Sequence, residues 1–280
     1  MRPRLNEYRA ALTACALTCL LSAPAFAADS SAWSQDSKSE MRLIAGVNKT
    51  GSAVLRAGIE IKLRPGWHTY WRYPGDSGVP PRFDFSGSDN LKSATVLFPA
   101  PILFSDESGS SIGYKDGVIF PVRVTPRDPA KPVTLVLKSD YAVCEKLCIP
   151  AQGAADLILA PGASAQEAPL SAAEARVPKK ATAAEAGLSL HRVNNAPKPL
   201  VVVDLKSPSG KIVTGVFVEG PTAEWALPIP KPAQGAPPGH QHFGFELDGL
   251  PPGVNPKGPF DLTVTLVEDG RSLEVTARLD

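Results

Sequence analysis

Cysteine is scarce in this 280-residue chain: there are four, and two of them, Cys15 and Cys19, fall inside an N-terminal stretch that reads as an export signal. The two that remain, Cys144 and Cys148, are too few for a small domain stapled together by bridges. Met1 and Met41 are the only methionines, which excludes a methionine-rich copper site. Charge of one sign is lacking too. Without the first 27 residues, which hold Arg2, Arg4, Arg9 and Glu7, 26 basic and 27 acidic side chains remain, so nothing marks a nucleic-acid or anionic-lipid partner. Beyond residue 27 no uninterrupted apolar run approaches the roughly 20 residues that span a bilayer. A Gly-rich phosphate loop, a helical metalloprotease motif and a serine-nucleophile elbow are all missing.

What is present begins with that signal. Three arginines precede an apolar stretch from Ala10 to Leu21, and Ala25-Phe26-Ala27 offers small residues for cleavage, the pattern of a signal peptide over residues 1–27. Leu12-Thr13-Ala14-Cys15 also resembles a lipoprotein cleavage box, but cutting there would leave almost no apolar segment ahead of it. The expectation is a soluble, exported protein. The remaining 253 residues suffice for two ordinary domains with their own cores.

Proline, at 29 of 280 residues, is about twice as frequent as usual and falls between short alternating runs, which favours an all-β chain. The runs Arg42–Val47, Val54–Leu63, Trp67–Trp71, Ala94–Phe98, Val118–Thr125, Val133–Lys138 and Ala155–Leu159 read as strands of a first antiparallel sandwich, residues 28–160. Residues 161–187, rich in Ala, Pro, Glu and Lys and without an aromatic, read as an interdomain linker. A short helix at Leu170–Val177 would stop before Pro178, and the rest would be extended. Leu188–Val193, Leu200–Leu205, Ile212–Val218, His242–Leu247, Phe260–Val267 and Ser272–Leu279 then read as a second sandwich, residues 188–280, with Pro228–Gly239 a loop too long for a hairpin turn.

Chemistry concentrates at Cys144 and Cys148, separated only by Glu145, Lys146 and Leu147. A bridge between them closes so short a loop that the unfolded chain loses little freedom, and the expected stabilisation is only about 2 kcal/mol. A pair so weak as a staple, in a chain exported to an oxidising compartment, points to a dithiol that is made and broken. A local structural disulfide is the plain alternative. Fully extended, the segment would hold the two α-carbons about 13 Å apart, so it must bend in a turn or bulge to bring them near ~6 Å. Lys146 would favour a thiolate, and Glu145 and Asp140 would oppose it.

Three segments together resemble a known family: Gly66-Trp67-His68-Thr69-Tyr70-Trp71-Arg72-Tyr73-Pro74-Gly75-Asp76-Ser77-Gly78-Val79-Pro80-Pro81, then Ile112-Gly113-Tyr114-Lys115-Asp116 leading into Phe120-Pro121-Val122, and Cys144-Glu145-Lys146-Leu147-Cys148-Ile149-Pro150. They are similar to the N-terminal periplasmic domain of DsbD and, more narrowly, of its copper-sensitivity-suppressor relatives, the ScsB proteins. The resemblance implies immunoglobulin-like sandwiches, a periplasmic location and a redox pair serving thioredoxin-fold proteins, as a component of a protein-disulfide reductase system. It gives Cys148 the exchange role and Cys144 the resolving role. Tyr70 would line the cleft, with Asp106 and Glu107 at the start of a capping loop. DsbD carries a shielding aromatic after those acids, whereas Ser108 stands here, which leaves Phe104 or Tyr114 to substitute. DsbD and ScsB continue into a membrane conduit and a thioredoxin-like domain. This chain stops at Asp280, so its expected electron source is a separate membrane thiol carrier of the DsbD, ScsB or CcdA type. No cofactor is expected, and the protein would act as a monomer.

Other residues have plainer readings. Trp67, Tyr70 and Trp71 would split between core and cleft rim, His68 would be a surface residue, and Asp76 would bond the amides of its own turn. A rival function is metal binding by His240 and His242, which alternate on a strand and would share a face, in keeping with the copper association of the ScsB branch. A third is a noncatalytic interaction module that would tolerate loss of both cysteines.

Overall fold

A computed structural model describes residues 28–75, 78–106, 109–193, 199–208 and 210–280, with the Asp106 side chain left undescribed. The signal-peptide reading of residues 1–27, the Asp76 turn, and the positions of Glu107 and Ser108 therefore lie outside the described residues.

In chain order the first half contains β1 (Ser34–Gln35), β2 (Ser39–Ala45), β3 (Leu55–Leu63), β4 (His68–Gly75), β5 (Arg82–Asp84), β6 (Leu91–Val96), β7 (Ile102–Asp106), β8 (Gly109–Lys115), β9 (Gly117–Pro126), β10 (Val133–Cys144) and β11 (Cys148–Leu159). They form two sheets, ordered β1-β2-β3-β9-β6 and β11-β10-β4-β8-β7, with β5 pairing to β10. Alternation builds the core. Met41, Leu43, Ile59, Ile61, Phe120, Val122 and Val124 point inward from the first sheet, and Trp71, Tyr114, Leu135, Leu137, Tyr141 and Val143 meet them from the second.

The segment 161–187, read as an interdomain linker with one short helix, holds more regular structure than that reading expected. It contains α1 (Glu167–Ala175), β12 (Lys179–Ala181) and α2 (Ala183–Ala186). Leu170 of α1 is fully buried in a seat made by two glycines: a Cβ at Gly46 would lie 2.8 Å, and one at Gly58 3.0 Å, from its methyl carbons. Arg56 ties the helix down through Glu167 and Glu174, at 2.7 Å each. The helix starts three residues earlier than its apolar pattern suggests because Glu167 is held by the Val47 amide as well as by Arg56. β12 then runs parallel to the last strand of the chain, and α2 opens with a capping box at Thr182 and Glu185.

The second half contains β13 (Leu188–Val193), β14 (Leu200–Leu205), β15 (Val213–Glu219), β16 (Lys231–Ala233), β17 (Gln241–Glu246), β18 (Phe260–Glu268) and β19 (Arg271–Leu279). Their sheets are β12-β19-β18-β15 and β13-β14-β17-β16. Val201, Val203, Phe243, Phe245, Leu262, Val264, Val275 and Leu279 fill the space between them. The Pro228–Gly239 stretch, read as a loop, contains β16 and also sends Ile229 into the first core. Among the described residues the chain is all-β apart from the two short helices, as its patterning required. Among the described residues no helix is long and apolar enough to cross a membrane.

Candidate functional site

β10 and β11 form a hairpin in continuous register from Val133↔Leu159 to Cys144↔Cys148, with Glu145, Lys146 and Leu147 as its tip. The two cysteines are thus directly opposed across the ladder. Their α-carbons are 4.1 Å apart and their sulfurs are bonded. The spacing is shorter than the ~6 Å expected of a generic bridge and close to the ~4.5 Å of a narrow antiparallel pair. Both strands run further toward the tip than their apolar runs suggested, because Tyr141, Ala142, Val143 and Cys144 are buried on one face or the other.

The faces separate by parity. Tyr141 and Val143 point into the core, whereas Ala142 and Cys144 point to the outer face of the sheet, where they form a separate small cluster with Tyr70. Cys144 is 6% exposed, but Cys148, across the turn, is exposed to solvent. Leu147 beside it is 72% exposed. Tyr70, on β4, is buried and places its hydroxyl 3.1 Å from Cys148 Sγ. The two sulfurs therefore differ in access although they share one bond.

His68 corrects a sequence expectation. It is buried, pairs across the ladder with Cys144, and packs edge-on to Tyr70 with ring centres 5.5 Å apart. A strand puts residues two apart on one face, so His68 shares the Tyr70 face. Phe104, on β7, lies 4.5 Å from the His68 ring and carries Lys115 over its own ring at 5.5 Å. Phe104 thus belongs to the same outer cluster. Tyr114 does not. It points inward, is 3% exposed, stacks on Phe120 and donates its hydroxyl to the Pro99 carbonyl. Burial pushes its phenol above the ordinary tyrosine range, so Tyr114 is a core residue and not a shield for the disulfide. Asp106 ends β7, where it pairs with Gly109 at the turn into β8.

Gly113 lets these strands approach. A Cβ there would lie 2.0 Å from the Thr69 carbonyl oxygen and 2.8 Å from the Tyr70 α-carbon. Gly78 does the same from above: a Cβ would fall 2.6 Å from the Tyr70 ring, so the backbone after β4 lies flat on that ring. Sequence reasoning missed His68, Lys115 and Gly78 as neighbours of the site. For His68 the parity with Tyr70 was the available signal, whereas nothing local in sequence marked the other two.

His240 and His242 share one partner. Asp204 Oδ1 is 2.8 Å from His240 Nδ1 and 3.3 Å from His242 Nε2, on the second sandwich. Among the described residues no group of three or more His, Cys, Asp or Glu side chains is arranged to hold a metal ion. Asp204 is the physical account of their placement.

A charged contact joins the sandwiches just beyond Tyr70. Arg72 bonds Glu219 at 2.7 Å and Glu274 at 2.6 Å, and Lys180 also bonds Glu274. Burial opposes the Arg72 charge, but the hydrogen bonds and charges of the two glutamates prevail and hold the guanidinium above its ordinary range. Burial likewise opposes the Glu274 charge, and the bonds from Lys180 and Arg72 overcome it, keeping the carboxyl below its usual value.

A β-sandwich bearing a four-apart disulfide at an exposed hairpin tip, with one sulfur accessible and the other covered, has the construction of a thiol–disulfide exchange module. Residues 45–160 match the family described as Thiol:disulfide interchange protein DsbD, N-terminal. The chain is also similar to the N-terminal periplasmic domain of ScsB from Proteus mirabilis. The two are 21% identical over 90% of this chain and 98% of that one, with a TM-score of 0.69, and they share a fold. The cadherin-like domains 1 to 4 of zebrafish RET align over 90% of this chain and 66% of that one at 8% identity and a TM-score of 0.23. No curated protein matches the chain by sequence.

Proposed function

We propose that this protein is a periplasmic dithiol–disulfide carrier, taking an electron pair from a membrane thiol carrier of the DsbD, ScsB or CcdA type and passing it to thioredoxin-fold proteins. The observation that carries the reading is the asymmetry of the pair: Cys148 is exposed and Cys144 is covered. An incoming thiolate reaches the outer sulfur first, and access selects which sulfur is attacked.

In the charging direction, a carrier thiolate attacks Cys148 Sγ. A mixed disulfide forms, the 144–148 bond breaks, and Cys144 leaves as a thiolate that takes up a proton. The carrier's second thiol then attacks its own sulfur in the mixed disulfide and frees Cys148, so the pair has gained two electrons and two protons while the carrier has become a disulfide. In the delivering direction Cys148 attacks the partner disulfide, and Cys144, already opposite it across the ladder, resolves the mixed disulfide. Tyr70 lies where its hydroxyl can donate to the charge that develops on Cys148. The apolar Leu147 at the tip and the Phe104–His68 face would border the docked partner.

The test is electron transfer in two stages. Oxidised protein is mixed with a reduced, reconstituted membrane thiol carrier and then with an oxidised thioredoxin-fold protein. The expected result is one dithiol per chain in the first stage and its loss to the acceptor in the second. If no membrane thiol carrier reduces the pair, the proposal fails, and a noncatalytic module with a structural bridge takes its place.

A further inference from the structure

The strand that presents Tyr70 to Cys148 is also the strand that meets the second sandwich. β4 pairs regularly with β8 up to Tyr70↔Gly113, and the ladder resumes only at Gly75↔Ser111. Residues Trp71 to Pro74 therefore form a bulge within β4, a device that re-aims side chains beside functional sites. Here the side chains are aimed at the second sandwich. The Trp71 ring packs 5.8 Å from that of Phe217, Arg72 reaches Glu219 and Glu274, and the Tyr73 hydroxyl donates to the Leu227 carbonyl. Gly75, at φ 86°, closes the bulge against Ile229, where a Cβ would lie 2.9 Å from the isoleucine Cδ1. The chain then returns so that Gly78 lies on the Tyr70 ring.

Tyr70 is thus fixed from two sides, by the bulge that begins at the next residue and by Gly78 against its ring. The second sandwich grips that bulge at Trp71, Arg72, Tyr73 and Gly75. The guanidinium with its two carboxylates supplies the strongest of these contacts, since charge-assisted bonds outlast neutral ones. The Tyr70 hydroxyl is a hydrogen-bond partner of Cys148 Sγ.

We propose that the second sandwich is a positioning element of the redox site: by holding the 71–75 bulge through Arg72, Glu219 and Glu274, it keeps the Tyr70 hydroxyl on Cys148 and so sets the reactivity of that thiol. The inference rests on the reading of Cys148 as the exchanging sulfur. A hydroxyl held in place favours the thiolate over the thiol, whereas one free to swing away does not. Arg72, Glu219 and Glu274 are positioning residues, and none of them contacts a sulfur.

The experiment measures alkylation of Cys148 by iodoacetamide as a function of pH in Cys144→Ser protein, with the adduct located by mass spectrometry. Tyr70→Phe should slow the reaction about tenfold at neutral pH and move its midpoint upward, the size expected for a hydrogen bond to a charged group. Glu219→Gln with Glu274→Gln should shift the profile in the same direction by a smaller factor, and should add nothing once Tyr70 is already Phe. Circular dichroism checks that the fold is intact. Should the double variant not fold, Glu219→Gln alone is judged by the same criterion. An unchanged profile in the glutamine variants, or an equal further slowing in the Tyr70→Phe background, overturns the proposal. Because alkylation needs no protein partner, a wild-type protein that fails to exchange with carriers would sink the proposed function without deciding this question.

Discussion

The β10–β11 hairpin of the first sandwich and the β18–β19 hairpin of the second are both long antiparallel ladders whose inner faces are mostly apolar, yet they close differently. β18 turns into β19 through Asp269 and Gly270, with Glu268 opposite Arg271 and Gly270 at φ 72°. That turn is encoded in two residues, since an Asp-Gly pair between apolar runs is a strong hairpin signal. β10 turns into β11 through Glu145, Lys146 and Leu147, none of which has a positive φ, and the bond between Cys144 and Cys148 fastens its last rung. One closure is permanent and the other can be opened by two electrons. The comparison shows how a redox pair is added to a sandwich without endangering it: the reversible bond sits at the outermost rung, and the ladder behind it carries the fold.

The largest expected effect breaks the symmetry between the two sulfurs. With Cys144→Ser, Cys148 keeps its access and loses its resolving partner, so a mixed disulfide with a thioredoxin-fold protein should accumulate. With Cys148→Ser the remaining thiol is buried, and the complex should be nearly absent. Non-reducing electrophoresis reads the outcome. Equal trapping by the two variants would refute the assignment of roles.

Next in size is the cost of opening the closure. Reduction should lower the unfolding free energy by no more than about 2 kcal/mol, because the loop it releases is so short. Denaturation midpoints of oxidised and reduced protein test this, and spontaneous unfolding on reduction would show that the bridge is structural. At the other hairpin, Gly270→Ala meets no neighbour within 4 Å but forces alanine into a left-handed backbone, at a cost of about 1 kcal/mol. Alkylation of Cys148 should not change in that variant, which keeps the two closures separable.

The smallest effect lies between the hairpins, at α1. Bonds from the Val47 amide, Arg56 and Ser171 hold the Glu167 carboxyl down at about 2, against an ordinary 4.5. A depressed carboxyl stabilises the fold above its unfolded pKa, and that contribution is lost as pH falls from about 4.5 toward 2. The carboxylate is a third exposed, so screening by solvent limits the effect to about 1 kcal/mol. Glu167→Gln should therefore destabilise at neutral pH and make little difference in strong acid, as followed by thermal melts across that range. A constant difference at every pH would show that the ion pair is not its source.

Much of this molecule was legible along the chain because period-two alternation is a local property. The strands of the second sandwich other than β12 and β16 fall within a residue or so of their apolar runs, and the pairing of Cys144 with Cys148 followed from a spacing of four. Two regions hold structure that alternation along the chain does not show. The Ser-Gly-rich segment that forms β7 and β8 lacks long apolar runs, and its strands exist because Gly113 allows a close approach to Thr69 and Tyr70. The segment 161–187, read as a linker from its Ala, Pro, Glu and Lys content and its lack of aromatics, is held to the first sandwich by Glu167 and Glu174 on Arg56.

The sequence alone determined the sandwich architecture, the short-range cysteine pair and the family resemblance, since each depends on residues close together in the chain. Only the tertiary structure decided which sulfur is covered, that His68 and Phe104 join the site while Tyr114 does not, and that the strand beneath the disulfide is gripped by the other half of the molecule. Those outcomes depend on which face a strand turns outward and on what closes over it. Contacts between residues 70 and 148, or 72 and 274, are made in space by groups whose separation in sequence carries no periodic signal.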